Sequence, residues 1–537
     1  METFKTKLSN PWWILVAGVL LLILGSARWT VGIAPWLGLA AMLYFTRNVT
    51  TWKAIVFGFL ALFLSGLVGA DQVIPAPMPF LLIILLILSA KALLPYLVDR
   101  LVRAREKGLL GTLVFPAALV SLEYLNVLAS GDVWGSIANT QYGFQPIRQI
   151  ASVFGIWGIS FLIGWFASLL NWMADRRWQW PQIRNGVLLA GSVYLAVLGF
   201  GIARIYLPPA EHPETVSMGG VTLNNSNFGE TLYEEAFGKS ISIPAGASQT
   251  APELREVSRA LPSFIEDPYA EAFKGSRAVM QGNLDELFAR TSDLAGRGAR
   301  IVVWSEAIGL ILAPEESEVV ERGKALAREK GIYLFMSLGV INPGPYDPDR
   351  LLLVNKTVTL TPEGTVANVY LKSNPVPFAE QDYGSDDIIP VIESPYGKLS
   401  PVICYDADFP LFMQQAGQAG TDILIIPSGD WKAIDPYHPH MASLRGIENG
   451  ASVFRPVSRA TSIATDPYGN LLGSSDFFGP EEKTLLVEVP THGVPTLYNR
   501  IGDVLPYAAM VFVAFILIEA LVKVLLGHNR RSAEPAL

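Results

Sequence analysis

Cysteine is almost missing from this chain: of 537 residues, Cys404 alone carries a thiol. One cysteine excludes an internal disulfide in any redox compartment. Outside the cytoplasm a lone thiol is an oxidation liability with nothing to staple, so a free, functional thiol is the better reading. Charge is scarce too. Asp, Glu, Lys and Arg together make up 16% of the chain, well under the usual quarter or so. The net charge of −8, with no basic cluster in the polar part, gives no sign of nucleic-acid binding. Internal repeats and long low-complexity tracts are absent as well.

Apolar residues fill the space that charge leaves, at 51% of the chain, and they are unevenly placed. A bilayer-crossing helix needs about 20 predominantly apolar residues, because unpaired backbone groups are not tolerated in hydrocarbon. Runs of that kind fall near 11–27, 30–46, 53–70, 79–98, 109–129, 150–173, 186–207 and 505–527. They predict a membrane domain of seven spans over 1–207, a polar domain over 208–504, and a final span with its tail over 505–537. No small-residue cleavage site follows the first run, which is therefore read as an uncleaved helix. Basic residues in short loops set the orientation. Arg47, Lys53, Arg100, Arg103, Arg176, Arg177, Arg184 and Lys523 would share the cytoplasmic side with the N-terminus, against Arg28, Arg148 and Arg204 opposite. Residues 208–504 are thereby expected outside the cytoplasm.

In the polar segment short apolar strands alternate with stretches of helical spacing, which predicts a layered α/β domain. Helices are expected at 278–295, 315–330, 410–419 and 439–450, and strands near 216–223, 300–304, 332–340, 351–360, 366–371, 399–404, 422–427, 452–458 and 460–466. The hairpin-like pairs at 351–371 and 460–474 argue against a purely parallel sheet. Residues 224–272 are rich in Ser, Gly, Pro and acidic residues with poor periodicity, and are expected to form a long, partly ordered insertion.

Three predicted strand ends carry chemistry: Ile301-Val-Val-Trp-Ser-Glu306, Val369-Tyr-Leu-Lys372 and Pro401-Val-Ile-Cys404-Tyr-Asp406. A carboxylate, an amine and a thiol are the parts of an acyl-transfer site. An unperturbed thiol is barely ionised near neutral pH, so a nucleophilic cysteine needs a base or a cation beside it. Glu306 would take the thiol proton and return it, while Lys372 would place fixed charge where an oxyanion develops. Taken singly, each has a plainer reading. A free cysteine usually packs as a small hydrophobe, and Glu306 and Lys372 would be surface charges at strand ends. Only the set changes the balance.

That set, in the order Glu, Lys, Cys, resembles the carbon–nitrogen hydrolase (nitrilase) superfamily. Lys372 followed eight residues later by Glu380 is similar to its apolipoprotein N-acyltransferase branch. So are Ile426-Pro-Ser-Gly-Asp-Trp431, His438-Pro-His-Met-Ala-Ser-Leu-Arg-Gly-Ile-Glu448 and Arg455, together with Ser136-Ile-Ala-Asn-Thr-Gln-Tyr and Gly155-Ile-Trp-Gly-Ile-Ser-Phe-Leu in the apolar part. Ser305, Pro375 and Asp406 depart from the family pattern. The resemblance implies a multi-pass α-helical membrane domain joined to an extracytoplasmic nitrilase-like αββα sandwich, in a bacterial cytoplasmic (inner) membrane. It implies catalysis by Glu306, Lys372 and Cys404, with Glu380 holding Lys372, and supporting or substrate-binding roles for Tyr405, Asp406 and Trp431, without cofactor or metal. The implied reaction moves an acyl chain from a membrane phospholipid, through a thioester, to the α-amino group of a diacylglyceryl-cysteine on a lipoprotein. Two other readings stand beside it: a membrane-tethered amidase or nitrilase in which water resolves the thioester, and a silent partner that organises another membrane enzyme.

Other residues invite attention. His438 and His440 are two apart with no third ligand in sight, which is poor evidence for a metal; hydrogen bonding beneath the site is expected instead. Arg445 and Glu448, three apart on a predicted helix, are expected to pair. Glu123 falls inside a predicted span, where an ionisable group is a functional hypothesis by default, with headgroup binding and helix packing as rivals.

Overall fold

The computed structural model describes residues 10–103, 108–207, 214–223, 226–248, 250–345, 351–377, 379–479 and 483–531. The chain divides into two compact units: Met1–Asp71, Met78–Pro208 and Ile501–Leu537 form one, and Gln72–Pro77 with Pro209–Arg500 form the other.

The first unit is helical. Among the described residues, six of its helices are long and apolar enough to cross a membrane: Thr51–Gly69, Met78–Val102, Leu110–Ser130, Ile156–Asp175, Trp180–Tyr206 and Val504–Lys523. The first two apolar runs fold differently from the expectation of full-length spans. They form the helices Pro11–Leu24 and Ala34–Asn48, of 14 and 15 residues. At 1.5 Å per residue each is about 21–23 Å long, short of a hydrocarbon core of about 30 Å. Small residues let the two pack closely. A Cβ on Gly18 would sit 3.2 Å from Ala41 Cβ, and one on Gly38 would sit 3.1 Å from Leu22 Cδ2.

The last helix is tied back by polar contacts within the same unit. Trp157 Nε1 donates to Asp503 Oδ1 at 2.7 Å, and the Tyr124 and Tyr507 hydroxyls meet at 3.0 Å. Glu123 is buried, and its carboxylate accepts from Ser160 Oγ at 2.6 Å, Ser136 Oγ at 3.0 Å and Ile137 N at 3.0 Å. Three donors satisfy it, which makes it a helix-packing group that holds the turn at 136–141.

The second unit is a four-layer αββα sandwich. One sheet runs Thr484–Pro490, Thr215–Val221, Ile301–Trp304, Tyr333–Ile341, Leu353–Leu360 and Val366–Leu371 in spatial order, with Gly309–Leu312 also paired to Tyr333–Ile341. The other runs Leu471–Asp476, Thr461–Thr465, Ser452–Arg455, Ile423–Ile425, Gly397–Pro401 and Ile392–Ser394. Both mix parallel and antiparallel neighbours.

The alternation of side chains along each strand explains the layers. Ile301 and Val303 face inward to a shared core with Ile423, Ile425 and Phe454 of the other sheet. Val302 and Trp304 point the opposite way, against Leu284, Leu287 and Phe288 of helix Lys274–Gly296 and Val319 of helix Glu316–Lys330. On the far side Leu424, Ile426 and Val453 meet Met413 and Ala416 of helix Pro410–Ala419 and Ala442 of helix Tyr437–Asn449. Burial on both faces is why these strands read as continuous apolar runs.

The stretch 224–272 is more ordered than its composition predicts. Apart from 224–225 and 249, which lie outside the described residues, it carries helices Phe228–Phe237, Pro252–Ser258 and Leu261–Glu266. Leu232, Ala260, Phe264 and Phe273 join Met280, Leu312 and Ile341 in one core cluster. Helices of 10, 7 and 6 residues are too short to display a 3.6-residue period.

Candidate active site

The two sheets each deliver part of one polar cluster at their strand ends. Glu306 follows strand Ile301–Trp304, and its backbone N–H donates across to Ser428 O at 3.3 Å. The next residue, Ala307, has φ +48° and donates to Ser337 Oγ at 3.1 Å. Lys372 follows strand Val366–Leu371, anchored by its N–H to Asn355 O at 3.1 Å. From the second sheet, Cys404 ends the segment after Gly397–Pro401 and opens a 3₁₀ turn, Cys404–Asp408. Its φ is +48°, an unusual value for a residue other than glycine. Strain of this kind persists where the surroundings impose it, often at functional sites.

Lys372 is 1% exposed, and its ammonium lies 2.8 Å from Glu306 Oε1 and 2.6 Å from Glu380 Oε2. Burial works against its charge, yet Glu306 and Glu380 outweigh it and hold its pKa well above the ordinary lysine value. It is a fixed cation. Glu380 is itself held by Val376 N at 2.7 Å. Asn355 Nδ2 bridges the carboxylates, at 2.8 Å from Glu306 Oε1 and 3.3 Å from Glu380 Oε1. Among the described residues no hydrogen-bond donor is engaged with Glu306 Oε2, which leaves that oxygen able to accept a proton.

The thiol is buried, with Sγ 3.9 Å from Gly429 O and 3.8 Å from Asp430 Oδ1. Burial first, then the negative charges of Glu306 and Asp430, push the thiol well above its usual range, opposed by Lys372 and Arg455. At rest the sulfur is protonated, so attack requires a base to take its proton.

Asp406 sits directly behind the nucleophile. Its Oδ1 accepts from Asn374 N at 2.7 Å and Asn374 Nδ2 at 3.1 Å, while Oδ2 accepts from Tyr370 OH at 2.8 Å and Ile403 N at 2.9 Å. The shorter side chain therefore fastens the Cys404 turn to the segment that carries Lys372. Burial pushes its pKa up to about 6 despite the nearby Lys372. Tyr405 is half-buried and packs edge-on against Phe409. Trp431 is 5% exposed, and its indole N–H donates to Gln72 O at 2.6 Å, which ties in the short segment 72–77.

Beneath the thiol lies a charged layer on which sequence reasoning had placed only hydrogen bonding by the histidines. His438 Nδ1 is 2.8 Å from Asp430 Oδ1, and its Nε2 is 3.0 Å from Asp408 Oδ2. Arg455 grips Asp430 through Nη1 at 3.1 Å and Nη2 at 3.2 Å. Cys404, Asp430 and His438 bring three ligand-type atoms within 4.8 Å of one another. The Arg455 guanidinium already supplies the positive charge there, and a dication beside it would be repelled. On the same helix, Arg445 and Glu448 pair at 2.8 Å.

Burial and the Arg455 guanidinium, 3.0 Å from Nδ1, disfavour charge on His438, but Asp408 and Asp430 outweigh them and raise its pKa to about 9. A raised folded-state pKa contributes stability fully present below about 6.5 and lost as pH climbs through 9, on the order of 3 kcal/mol. Chemical denaturation of the purified protein at pH 6 and 9.5 should show that loss, and His438→Gln should flatten it. Equal slopes for the two proteins would refute the assignment.

Asn355, Tyr370 and Asp408 escaped the sequence reading. None of them left a signal: Asn355 shares its strand with Lys356, Thr357 and Thr359, so its polarity does not stand out.

The family model for carbon-nitrogen hydrolases matches residues 271–495, and that for the apolipoprotein N-acyltransferase N-terminal domain matches residues 17–169. Apolipoprotein N-acyltransferase of Geobacter metallireducens is 25% identical over 519 residues, covering 89% of this chain and 89% of the relative. That of Bradyrhizobium diazoefficiens is 25% identical over 439 residues, covering 75% and 72%. Among solved structures, an amidase from Nesterenkonia sp. aligns with 41% of this chain and 87% of its own, at 21% identity and a TM-score of 0.35. The chain thus carries an apolipoprotein N-acyltransferase N-terminal domain followed by a carbon–nitrogen hydrolase domain, and over most of its length it is similar to apolipoprotein N-acyltransferases.

Proposed function

We propose that the protein transfers an acyl chain from a membrane phospholipid to the α-amino group of a diacylglyceryl-cysteine on a lipoprotein. Glu306, Lys372 and Cys404 are the catalytic set. The observation that carries this is a neutral buried thiol beside a carboxylate with one uncommitted oxygen and a lysine kept charged by two acids.

In the first half-reaction Cys404 Sγ attacks the acyl carbonyl while Glu306 takes the thiol proton. The oxyanion that forms is met by the Lys372 ammonium, which needs no reorganisation to do so. Cleavage of the ester C–O bond then leaves a thioester, and Glu306 returns its proton to the departing lysophospholipid oxygen. In the second half the lipoprotein amine attacks the thioester carbon. Glu306 accepts a proton from the nitrogen and gives it back to sulfur, so an amide forms and the thiol is restored.

Both lipids scarcely leave the bilayer, since each buried CH₂ is worth roughly 0.8 kcal/mol. A catalytic unit joined at both ends to apolar helices stays with them. The charge asymmetry of the short loops supports an extracytoplasmic catalytic unit, in a bacterial inner membrane. The two short N-terminal helices run as a hairpin, so counting them as spans or not leaves that side unchanged.

The test is to incubate purified protein with labelled phospholipid and look for added acyl mass on Cys404, then supply a diacylated lipopeptide. Acyl-Cys404 followed by triacylated product is expected. Release of free fatty acid alone would instead mark a hydrolase.

A further inference from the structure

Eight residues other than glycine have positive φ among those described, and two of them stand at the proposed catalytic set: Ala307, directly after Glu306, and Cys404 itself. A third is Arg459, at φ +63°. The left-handed region is uncommon for a long side chain, and such strain lasts only where the frame around it insists. Here the frame is firm. Ser428–Gly429 pairs in parallel with Val457–Ser458, Asp430 N donates to Ser458 O at 3.0 Å, and Thr461 N donates to Asp435 Oδ1 at 3.0 Å.

This frame lies against the reacting groups. A Cβ built on Gly429 would be 3.3 Å from Glu306 Oε2 and 3.3 Å from Ser458 Oγ, so Gly429 adjoins both the uncommitted oxygen of Glu306 and the residue before Arg459. The Arg459 guanidinium is within Coulomb reach of both Asp430 and Glu306, and burial lowers its pKa. The side chain remains partly exposed, and among the described residues it makes no hydrogen bond or ion pair. The nearby acids are already engaged: Asp430 by Arg455 and His438, and Glu306 Oε1 by Lys372 and Asn355. Five N–H donors in a planar fork are thus left beside the chemistry.

We infer that the Arg459 guanidinium holds the phosphodiester of the acyl-donor phospholipid while Cys404 is acylated, an inference that rests on the acyl-transfer reading above. Arginine matches phosphate with paired parallel N–H bonds. The phosphate of a phospholipid is separated from its ester carbonyls only by the glycerol carbons, so an anion held near Glu306 suits a carbonyl held at Cys404. The acceptor brings the opposite charge: its reacting end is an amine, which a guanidinium repels. The unpaired cation therefore selects the donor.

The experiment compares two acyl donors for acylation of Cys404 in the full-length protein: phosphatidylglycerol, and an uncharged p-nitrophenyl ester of the same fatty acid. Arg459→Asn keeps a residue type that tolerates positive φ, and Arg459→Lys keeps a charge without the fork. Arg459→Asn is expected to raise KM for phosphatidylglycerol about tenfold or more, with Arg459→Lys between, while acylation by the uncharged ester stays within about twofold. Added inorganic phosphate at millimolar levels should inhibit the wild type with phosphatidylglycerol and leave Arg459→Asn unaffected. Equal slowing with both donors, or no change with either, overturns the inference. Absence of acyl-Cys404 in the wild type with both donors would instead sink the acyl-transfer reading itself, and this inference with it.

Discussion

Cys404→Ala is expected to abolish acyl-enzyme formation and lower lipopeptide conversion by about 10⁴-fold or more, the scale seen when a nucleophile is removed from a set that acts as a unit. The change should leave the fold intact. The thiol is buried, and its contacts to Gly429 O at 3.9 Å and Asp430 Oδ1 at 3.8 Å are long and weak. Asp430 keeps Arg455 and His438 without it, and Lys372 keeps both of its acids. The expected stability cost is about 1 kcal/mol, a shift of a few degrees in Tm. Activity is read by mass spectrometry of the lipopeptide product, and folding by thermal denaturation. Conversion at the wild-type rate by a folded variant would remove the sulfur from the mechanism.

Lys372→Met should harm both turnover and stability, for different reasons. The ammonium is 1% exposed and bonded to Glu306 and Glu380, whose side chains are 8% and 15% exposed. Removing it leaves two carboxylates facing each other in a poorly hydrated site. Breaking one partner out of a buried pair costs about 3–5 kcal/mol, because a charge is left uncompensated. Loss of the charge that meets the oxyanion costs turnover a further factor of about 10²–10³. The double variant Lys372→Met with Glu380→Gln separates the two effects. It removes one of the stranded charges, so part of the stability should return while turnover stays low. Recovery of turnover in the double variant would mean that Lys372 merely neutralises Glu380.

The elements that were legible in the sequence share a physical cause. Helices Glu316–Lys330, Pro410–Ala419 and Tyr437–Asn449 each end at a glycine in the left-handed conformation, Gly331, Gly420 and Gly450. Such a stop is written locally, because only glycine adopts that backbone freely. The strands that carry Glu306 and Cys404 are buried on both faces, so they stand out as apolar runs with an abrupt polar end. Where the signal failed, length was the reason. The short helices of 224–272 never complete enough turns to show a stripe. In the first apolar run, hydropathy passes smoothly through Gly25 and carries the expected span to 27, whereas the helix stops at Leu24 and Gly25 packs closely on Pro35.

From the sequence alone came the membrane helices, the layered α/β unit, and the three residue types a thioester mechanism needs, because hydrophobic period and chemical identity are local properties. Which groups touch was decided by the tertiary structure. Lys372 meets a glutamate 66 residues away, and Asp430 meets an arginine 25 residues on. Whether a thiol is neutral, a lysine stays charged or an arginine is left without a partner depends on burial and on the sum of charges converging from both sheets. Those quantities exist only once the chain has folded.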